Sequence, residues 1–231
     1  VLAAVQFRGA ALDSQARSLS RVIDVASRNS LEQLYKTGSN LGAYAIRADG
    51  FREAVSKSIA GDSEATTRIL ALFEEQYSQR AISGGIVKLV KLRLLDLDYK
   101  LVAQSQSGDA SLSQALPDFV IRTLKKREGA DSVRAFGMLY TDQHRPLYSV
   151  VISVSGLKTY GFLEVLLDPV YHLQHITEEL NVPLAISNDS DQVLFKSDNW
   201  DALASGETLP VSFELKDQNS QVVLQLRILE D

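Results

Sequence analysis

The chain has 231 residues, 45% of them hydrophobic and 23% charged, with a net charge of −5 and no cysteine. That is an ordinary globular composition, long enough for one large domain or two small ones. It excludes a disulfide framework, a thiolate metal site and a cysteine nucleophile, and it argues against nucleic-acid binding, which needs a basic patch against phosphate.

No apolar run approaches the roughly 18 residues of a membrane span. The sequence opens at Val1 on residues that already read as helix, without the layout of a signal peptide. The expectation is a piece of a longer protein, with membrane spans and an output domain in the flanking chain.

From about Leu2 to Ile46 the only helix breakers are Gly9, Gly38 and Gly42. Leu12, Leu19 and Ala26 recur every seven residues, with Ala16 and Ile23 as a companion row, which is the seam of a long packed helix. At 1.5 Å per residue it would reach roughly 65 Å. It reads as a stalk that dimerises at its start and supports a sheet at its end; the alternative is a core helix broken near Ser27–Ser30.

Two shorter helices follow between Asp49 and Arg80. Gly61-Asp62-Ser63 separates them, and Asp62 or Ser63 caps the second. Ser83-Gly84-Gly85 ends the helical region. IVKLVKLRLLD and LVAQSQ then read as a strand pair joined at Asp96–Lys100. A polar loop from Gly108 to Pro117 leads to a short helix over Asp118–Arg127. Three strands follow, at Val133–Tyr140, Leu147–Val154 and Thr159–Leu167.

Asp168-Pro169 opens a connecting helix that ends near Leu180-Asn181. The remainder reads as four short strands: LAIS, QVLFK, VSFEL and VVLQLRIL. Turns lie at Asn188–Asp191 and Asp217–Ser220. The expected class is α+β, with a stalk over 1–48, a larger sheet module over 49–168 and a smaller one over 169–231.

Strand alternation sorts the faces of the larger sheet. With Gly156-Leu157 as a two-residue loop, Ser153 faces Tyr160, Val151 faces Phe162 and Ser149 faces Glu164. With Asp142–Arg145 as a four-residue loop, Arg134 faces Ser153, Phe136 faces Val151 and Met138 faces Ser149. One face then holds Val133, Ala135, Leu139, Tyr148, Val150, Ile152, Val154, Leu163 and Val165, an apolar set for the helices to cover. The other holds Arg134, Phe136, Met138, Tyr140, Ser149, Val151, Ser153, Tyr160, Phe162 and Glu164. Aromatic walls with a few polar groups are the composition of a small-molecule site. Arg134 and Glu164, roughly 16–17 Å apart in this register, read as its two poles, and Arg122 adds a second cation. A solvent-facing sheet surface is the alternative.

The order of elements is similar to one known plan. VKLVKLRLLDLDYKLVAQS, SGLKTYGFLEVLLDP and NVPLAISNDSDQVLFKSDNW carry the likeness, and the layout covers nearly the whole chain. It resembles the extracytoplasmic double Cache sensor domains of bacterial chemoreceptors, histidine kinases and cyclic-di-nucleotide synthases. The resemblance implies two PAS-like modules, a ligand site in the membrane-distal one, a homodimer along the long helix and a periplasmic location. Amino-acid-binding members carry a Tyr–Arg–Tyr–Asp pattern. Arg134 with Tyr140 or Tyr160 matches part of it, and no aspartate here takes the last place.

Signatures of other chemistry are missing: no G-x-S-x-G, no G-x-x-x-x-G-K and no G-x-G-x-x-G. His144 falls in a turn. His172, His175 and Glu179 lie within roughly 60° of one another on the connecting helix but away from its apolar stripe, so they read as a solvated face rather than a zinc site. Asp96-Leu97-Asp98 lacks the glycine and distal glutamate of a calcium loop. The expectation is a ligand sensor without catalysis, cofactor or metal. The alternatives are an interaction or dimerisation module, and an enzyme working through His172 and His175.

Overall fold

The computed structural model describes residues 2–82, 87–204 and 209–230. The chain falls into two compact units. One is Gln33–Pro169; the other is the first 32 residues together with those from Val170 onward. Helix α1 (Leu2–Arg47) is continuous and contributes to both; the break considered near Ser27–Ser30 does not occur. Ile23 and Ala26 of the expected seam are buried, while the Leu12 side chain lies outside the described residues.

In the first unit, α2 (Phe51–Ile59) and α3 (Ser63–Ile82) form a hairpin. Asp62 caps α3, its Oδ1 accepting from the backbone N–H groups of Glu64 and Ala65 at 2.9 and 3.1 Å. The expected stop at Ser83-Gly84-Gly85 lies outside the described residues. Strands β1 (Leu89–Leu95) and β2 (Leu101–Gln104) follow, then α4 (Asp118–Lys125), a 3-10 turn (Gly129–Val133), β3 (Phe136–Asp142), β4 (Arg145–Ser155) and β5 (Thr159–Leu167). They make a five-stranded antiparallel sheet in the order β2-β1-β5-β4-β3.

Register decides what each face holds. Between β3 and β4 it is as expected: Phe136 pairs with Val151 and Met138 with Ser149. Asp142 pairs with Arg145 across Gln143 and His144, whose φ values of 50° and 64° make the left-handed two-residue centre of a hairpin turn. Between β4 and β5 the expected register is off by two: Ser153 pairs with Phe162 and Val151 with Glu164. A two-residue loop needs positive φ near Gly156. Gly156 is not among the described residues with positive φ; instead its N–H bonds the Lys158 carbonyl, and a bulge falls between Val154 and Ser155. A slip of two preserves the faces, where a slip of one would have exchanged them.

The apolar face lies against helix. A Cβ added to Gly38 would sit 2.7 Å from Val150 Cγ2, and one added to Gly42 would meet Ile152 Cδ1. These two glycines, one helical turn apart, let the α1 backbone rest on β4. Leu139, Tyr148, Val150, Leu163 and Val165 are buried on this side. Val133 is not part of it. The third strand begins only at Phe136, and Val133 is half exposed at the end of the 3-10 turn. Ser132 Oγ closes that turn on the Gly129 carbonyl at 2.8 Å.

In the second unit the expected connecting helix is two short ones, α5 (Pro169–Leu173) and α6 (Ile176–Leu180). The His175 N–H bonds the His172 carbonyl at the joint, an i−3 contact that tightens the turn. Asn181, with φ 51°, ends α6. His172 is buried beside Leu173 in α5 rather than solvated, and the break after Leu173 separates it from the exposed Glu179 of α6. Strands β6 (Leu184–Asn188), β7 (Val193–Lys196), β8 (Leu209–Lys216) and β9 (Val222–Glu230), with α7 (Trp200–Ala204), complete a four-stranded sheet ordered β7-β6-β9-β8. Leu184, Ile186, Leu224, Leu226 and Ile228 form the buried heart of β6 and β9. The α+β plan of a long helix and two antiparallel sheets is therefore the observed one.

Candidate functional site

The second face of the five-stranded sheet is covered by the segment 105–117 and by α4. Strand β1 contributes Arg93, whose cross-strand partner on β5 is Glu164. Both are buried, Arg93 at 2% and Glu164 at 0% exposure. Arg93 Nη1 lies 3.5 Å from Glu164 Oε2. That is an ion-pair distance but a long one for a hydrogen bond, and Oε2 accepts no hydrogen bond from any described residue. Arg93 Nε is equally without a hydrogen-bond partner among the described residues.

The other carboxylate oxygen is better served. Ser149 Oγ donates to Glu164 Oε1 at 2.7 Å, and the Tyr140 hydroxyl reaches the same oxygen at 3.5 Å. Burial pushes the Glu164 carboxyl above the usual glutamate range, opposed by the Arg93 charge and the bond from Ser149. Burial, reinforced by the Glu164 charge, raises the Tyr140 phenol well above its ordinary value. Tyr140 is therefore a neutral donor at any physiological pH.

Apolar and aromatic side chains surround this cluster. Met138, Leu147, Val151, Phe162 and Leu166 come from the sheet, Leu112 and Leu116 from the covering segment, and Val120 and Leu124 from α4. Tyr99, held at φ 65° in the turn after β1, stacks on Phe162 with centroids 4.5 Å apart. Asp96 Oδ1 fixes that turn by accepting from the N–H groups of Asp98 and Lys100. Phe119 meets Tyr140 edge-on at 6.5 Å. The Arg127 guanidinium sits 4.6 Å over the Phe136 ring. Two charges of opposite sign, two hydroxyls and aromatic walls beneath a covering segment are the mix of residue types that lines small-molecule sites.

No family model matches this chain, and no curated protein does. Solved structures do. The extracellular domain of the histidine kinase vpHK1S-Z8 is 12% identical with a TM-score of 0.47, over 94% of this chain and 95% of its own. The sensory domain of the Campylobacter jejuni chemoreceptor Tlp3 is 15% identical with a TM-score of 0.45, over 98% and 97%. The ligand-binding domain of the Pseudomonas aeruginosa PAO1 amino-acid chemoreceptor PctC, in complex with GABA, is 12% identical with a TM-score of 0.45, over 93% and 100%. Each of these three is an extracellular, sensory or ligand-binding domain.

The structure gathers part of the expected residue set. Tyr140, Ser149 and Glu164 are bonded together, and Phe136 and Phe162 belong to the same cluster. Ser153 stands at the rim, its Oγ donating to the Val133 carbonyl at 2.9 Å. Tyr160 lies at the hairpin bulge, beside Gly156. Arg134 is outside the sheet and largely exposed, 3.5 Å from Asp131. Arg122 is exposed on α4. Sequence reading missed Arg93, Tyr99 and Arg127. A signal for Arg93 was present: Lys91 and Arg93 alternate with Val90, Leu92 and Leu94, so both charges fall on one face of a buried strand. Among the described residues no group of three or more His, Asp or Glu is placed to hold a metal ion.

Proposed function

We propose that this chain is the extracytoplasmic ligand-sensing domain of a transmembrane receptor, and that it binds a small polar molecule against the Arg93–Glu164 pair. The observation that carries the reading is the pair itself. Each partner keeps one buried polar atom, Arg93 Nε and Glu164 Oε2, without a hydrogen bond from any described residue. A buried orphan of this kind costs about 1–3 kcal/mol, more if charged, so its persistence asks for a reason. A ligand with an amine or hydroxyl for Oε2 and a carboxylate or carbonyl for Nε supplies one. Phe136, Phe162, Tyr99 and Phe119 would hold its apolar part. Ligand access needs the cover to move, since both charges are buried beneath it.

In this reading the 49–168 module is membrane-distal and binds the ligand, the 169–231 module is membrane-proximal, and α1 passes the change toward a flanking output domain. A chemoreceptor, a histidine kinase or a cyclic-di-nucleotide signalling protein would each fit. A thermal-shift screen of small amines, amino acids, hydroxy acids and carboxylates tests it. A true ligand at a hundred times its Kd raises stability by about 2.7 kcal/mol, and Arg93→Lys, which keeps the charge but loses the fork, should weaken that effect at least tenfold. A full screen without a stabilising compound, or a hit indifferent to Arg93→Lys, would overturn the reading.

One further observation favours a second role. Val25 on α1 is 56% exposed and Val22, three residues away on the same helical side, is 43% exposed. These support a homodimer along α1, which sedimentation of wild type against Val25→Glu would show or refute.

A further inference from the structure

The segment between β2 and α4 is tied down at several points, nearly all by charged groups. Near its start, the Glu74 carboxylate accepts from the N–H groups of Gln106 and Ser107 at 2.7 and 3.1 Å. Lys91 Nζ donates to the Ser107 carbonyl at 3.2 Å. Further along, Asp109 pairs with Arg145. At Ser113 the N–H donates to Asp142 Oδ2 at 2.8 Å and the hydroxyl to Asp142 Oδ1 at 2.6 Å. Arg93 Nη2 donates to the Ser113 carbonyl at 2.6 Å.

Only this last tie reaches the buried pair. Arg93 crosses from Glu164 to the strap, so one guanidinium serves both. The side chains next to Ser113 and toward α4, Leu112 and Leu116, are buried in the aromatic cluster. Lifting Ser113 would withdraw these two plugs from the ligand site.

We propose that Arg93 is a positioning residue that makes closure of the strap over 110–116 depend on the charge and occupancy of Glu164. With Glu164 ionised, the guanidinium is held in the plane from which Nη2 reaches the Ser113 carbonyl. When a ligand or a proton takes the charge of Glu164, Arg93 loses its anchor and the Ser113 tie weakens. Asp142 then holds the middle of the strap alone, so 110–116 opens more often, while its start, held by Glu74, stays closed. The charged and titratable groups that face Glu164 are Arg93 from β1 and Tyr140 from β3, with Asp142 behind Tyr140 and Lys91 one row along β1. Helix α4 turns Val120 and Leu124 inward. Arg93 is the only cation in hydrogen-bond reach of the Ser113 carbonyl among the described residues.

The role given to Arg93 rests on the ligand-site reading above, but its test uses the ligand-free chain, so the two fail separately. Amide hydrogen exchange is measured across the whole chain for wild type, Glu164→Gln and, as a control, Glu74→Ala. In Glu164→Gln the amides of 110–116 should exchange about 10- to 100-fold faster, the equivalent of one charge-assisted hydrogen bond. The amides of 106–107 should not change beyond the global loss, and those of β4 and β5 should rise together and by less than those of 110–116, because the bare Arg93 charge also lowers the stability of the whole sheet. Glu74→Ala, which removes the acceptor altogether, should do the reverse, freeing 106–107 alone. In wild type, protection of 110–116 corrected for intrinsic exchange should fall with decreasing pH, and that fall should be missing in Glu164→Gln. Unchanged protection of 110–116 in Glu164→Gln overturns the proposal. So does a rise over 110–116 no larger than that over β4 and β5, which would mean that Glu164 holds the fold and not the strap.

Discussion

Arg93 and Glu164 are register partners on neighbouring antiparallel strands, and their charged ends meet 3.5 Å apart where neither is reached by solvent. Ionic pairs in such places contribute little net stability, but removing one partner leaves a bare buried charge. Arg93→Ala should therefore destabilise the chain by about 3–5 kcal/mol in chemical denaturation. Arg93→Met combined with Glu164→Leu should recover most of that loss. A double variant as unstable as Arg93→Ala would show that the pair itself, and not the orphaned carboxylate, is what the fold needs.

The pair also sets a pH dependence. Burial raises the folded-state pKa of Glu164 above its ordinary value of 4.5, with Arg93 and Ser149 opposing. A proton is thus held more tightly in the folded chain than in the unfolded one. The stabilisation it brings is complete below pH 4.5 and disappears as pH rises through the raised folded value. Relative to Glu164→Gln, wild type should therefore lose stability as pH climbs through that window. Denaturant midpoints for both proteins across the acid range check this, and a difference that widens in the opposite direction contradicts it.

Helix α1 rests on β4 through two missing side chains. Gly42→Ala would drive a methyl into Ile152 Cδ1, and Gly38→Ala would place one 2.7 Å from Val150 Cγ2. Overpacking of this sort costs about 1–3 kcal/mol, offset in part by the better helix propensity of alanine. Gly42→Ala should be the more damaging, and adding Ile152→Val should restore stability. Thermal unfolding of the three proteins decides it.

The hairpin of α2 and α3 offers a smaller, local test. Asp62→Ala removes the acceptor for two N–H groups at the start of α3 and should cost about 0.5–2 kcal/mol. Asp62→Asn should cost less than half as much, because its side-chain oxygen can still cap. Equal losses for the two variants would place the effect in charge rather than in the cap.

Element order was legible because the punctuation is strong. Gly61-Asp62-Ser63, Asp168-Pro169 and the Asp217–Ser220 turn stand where the chain changes direction. The faces of β4 and β5 were legible from alternation, and they survived a register slip because the slip was even. The order of strands was not. Placing β1 beside β5 is a long-range choice, and without it Arg93 has no visible partner. Arg134 took its place as the expected cation because Val133 and Arg134 continue the β pattern of the following residues. Locally, however, Arg127 Nη2 bonds the Arg134 carbonyl at 2.8 Å and Asp131 lies beside the Arg134 side chain, which holds this stretch in a turn. The break at Gln174-His175 was hidden for a similar reason: no Gly or Pro marks it.

The central claim is that the ligand sits on the Arg93–Glu164 face, and one atom reports on it. The chain has a single methionine, Met138, buried in that cluster, and a single tryptophan, Trp200, in the other unit. With the Met138 methyl carbon-13 labelled, a compound that stabilises the chain should shift that one resonance, saturating at the concentration dependence of the thermal shift. Trp200 fluorescence should stay constant over the same titration. A stabilising compound that leaves the Met138 methyl unmoved would contradict the account.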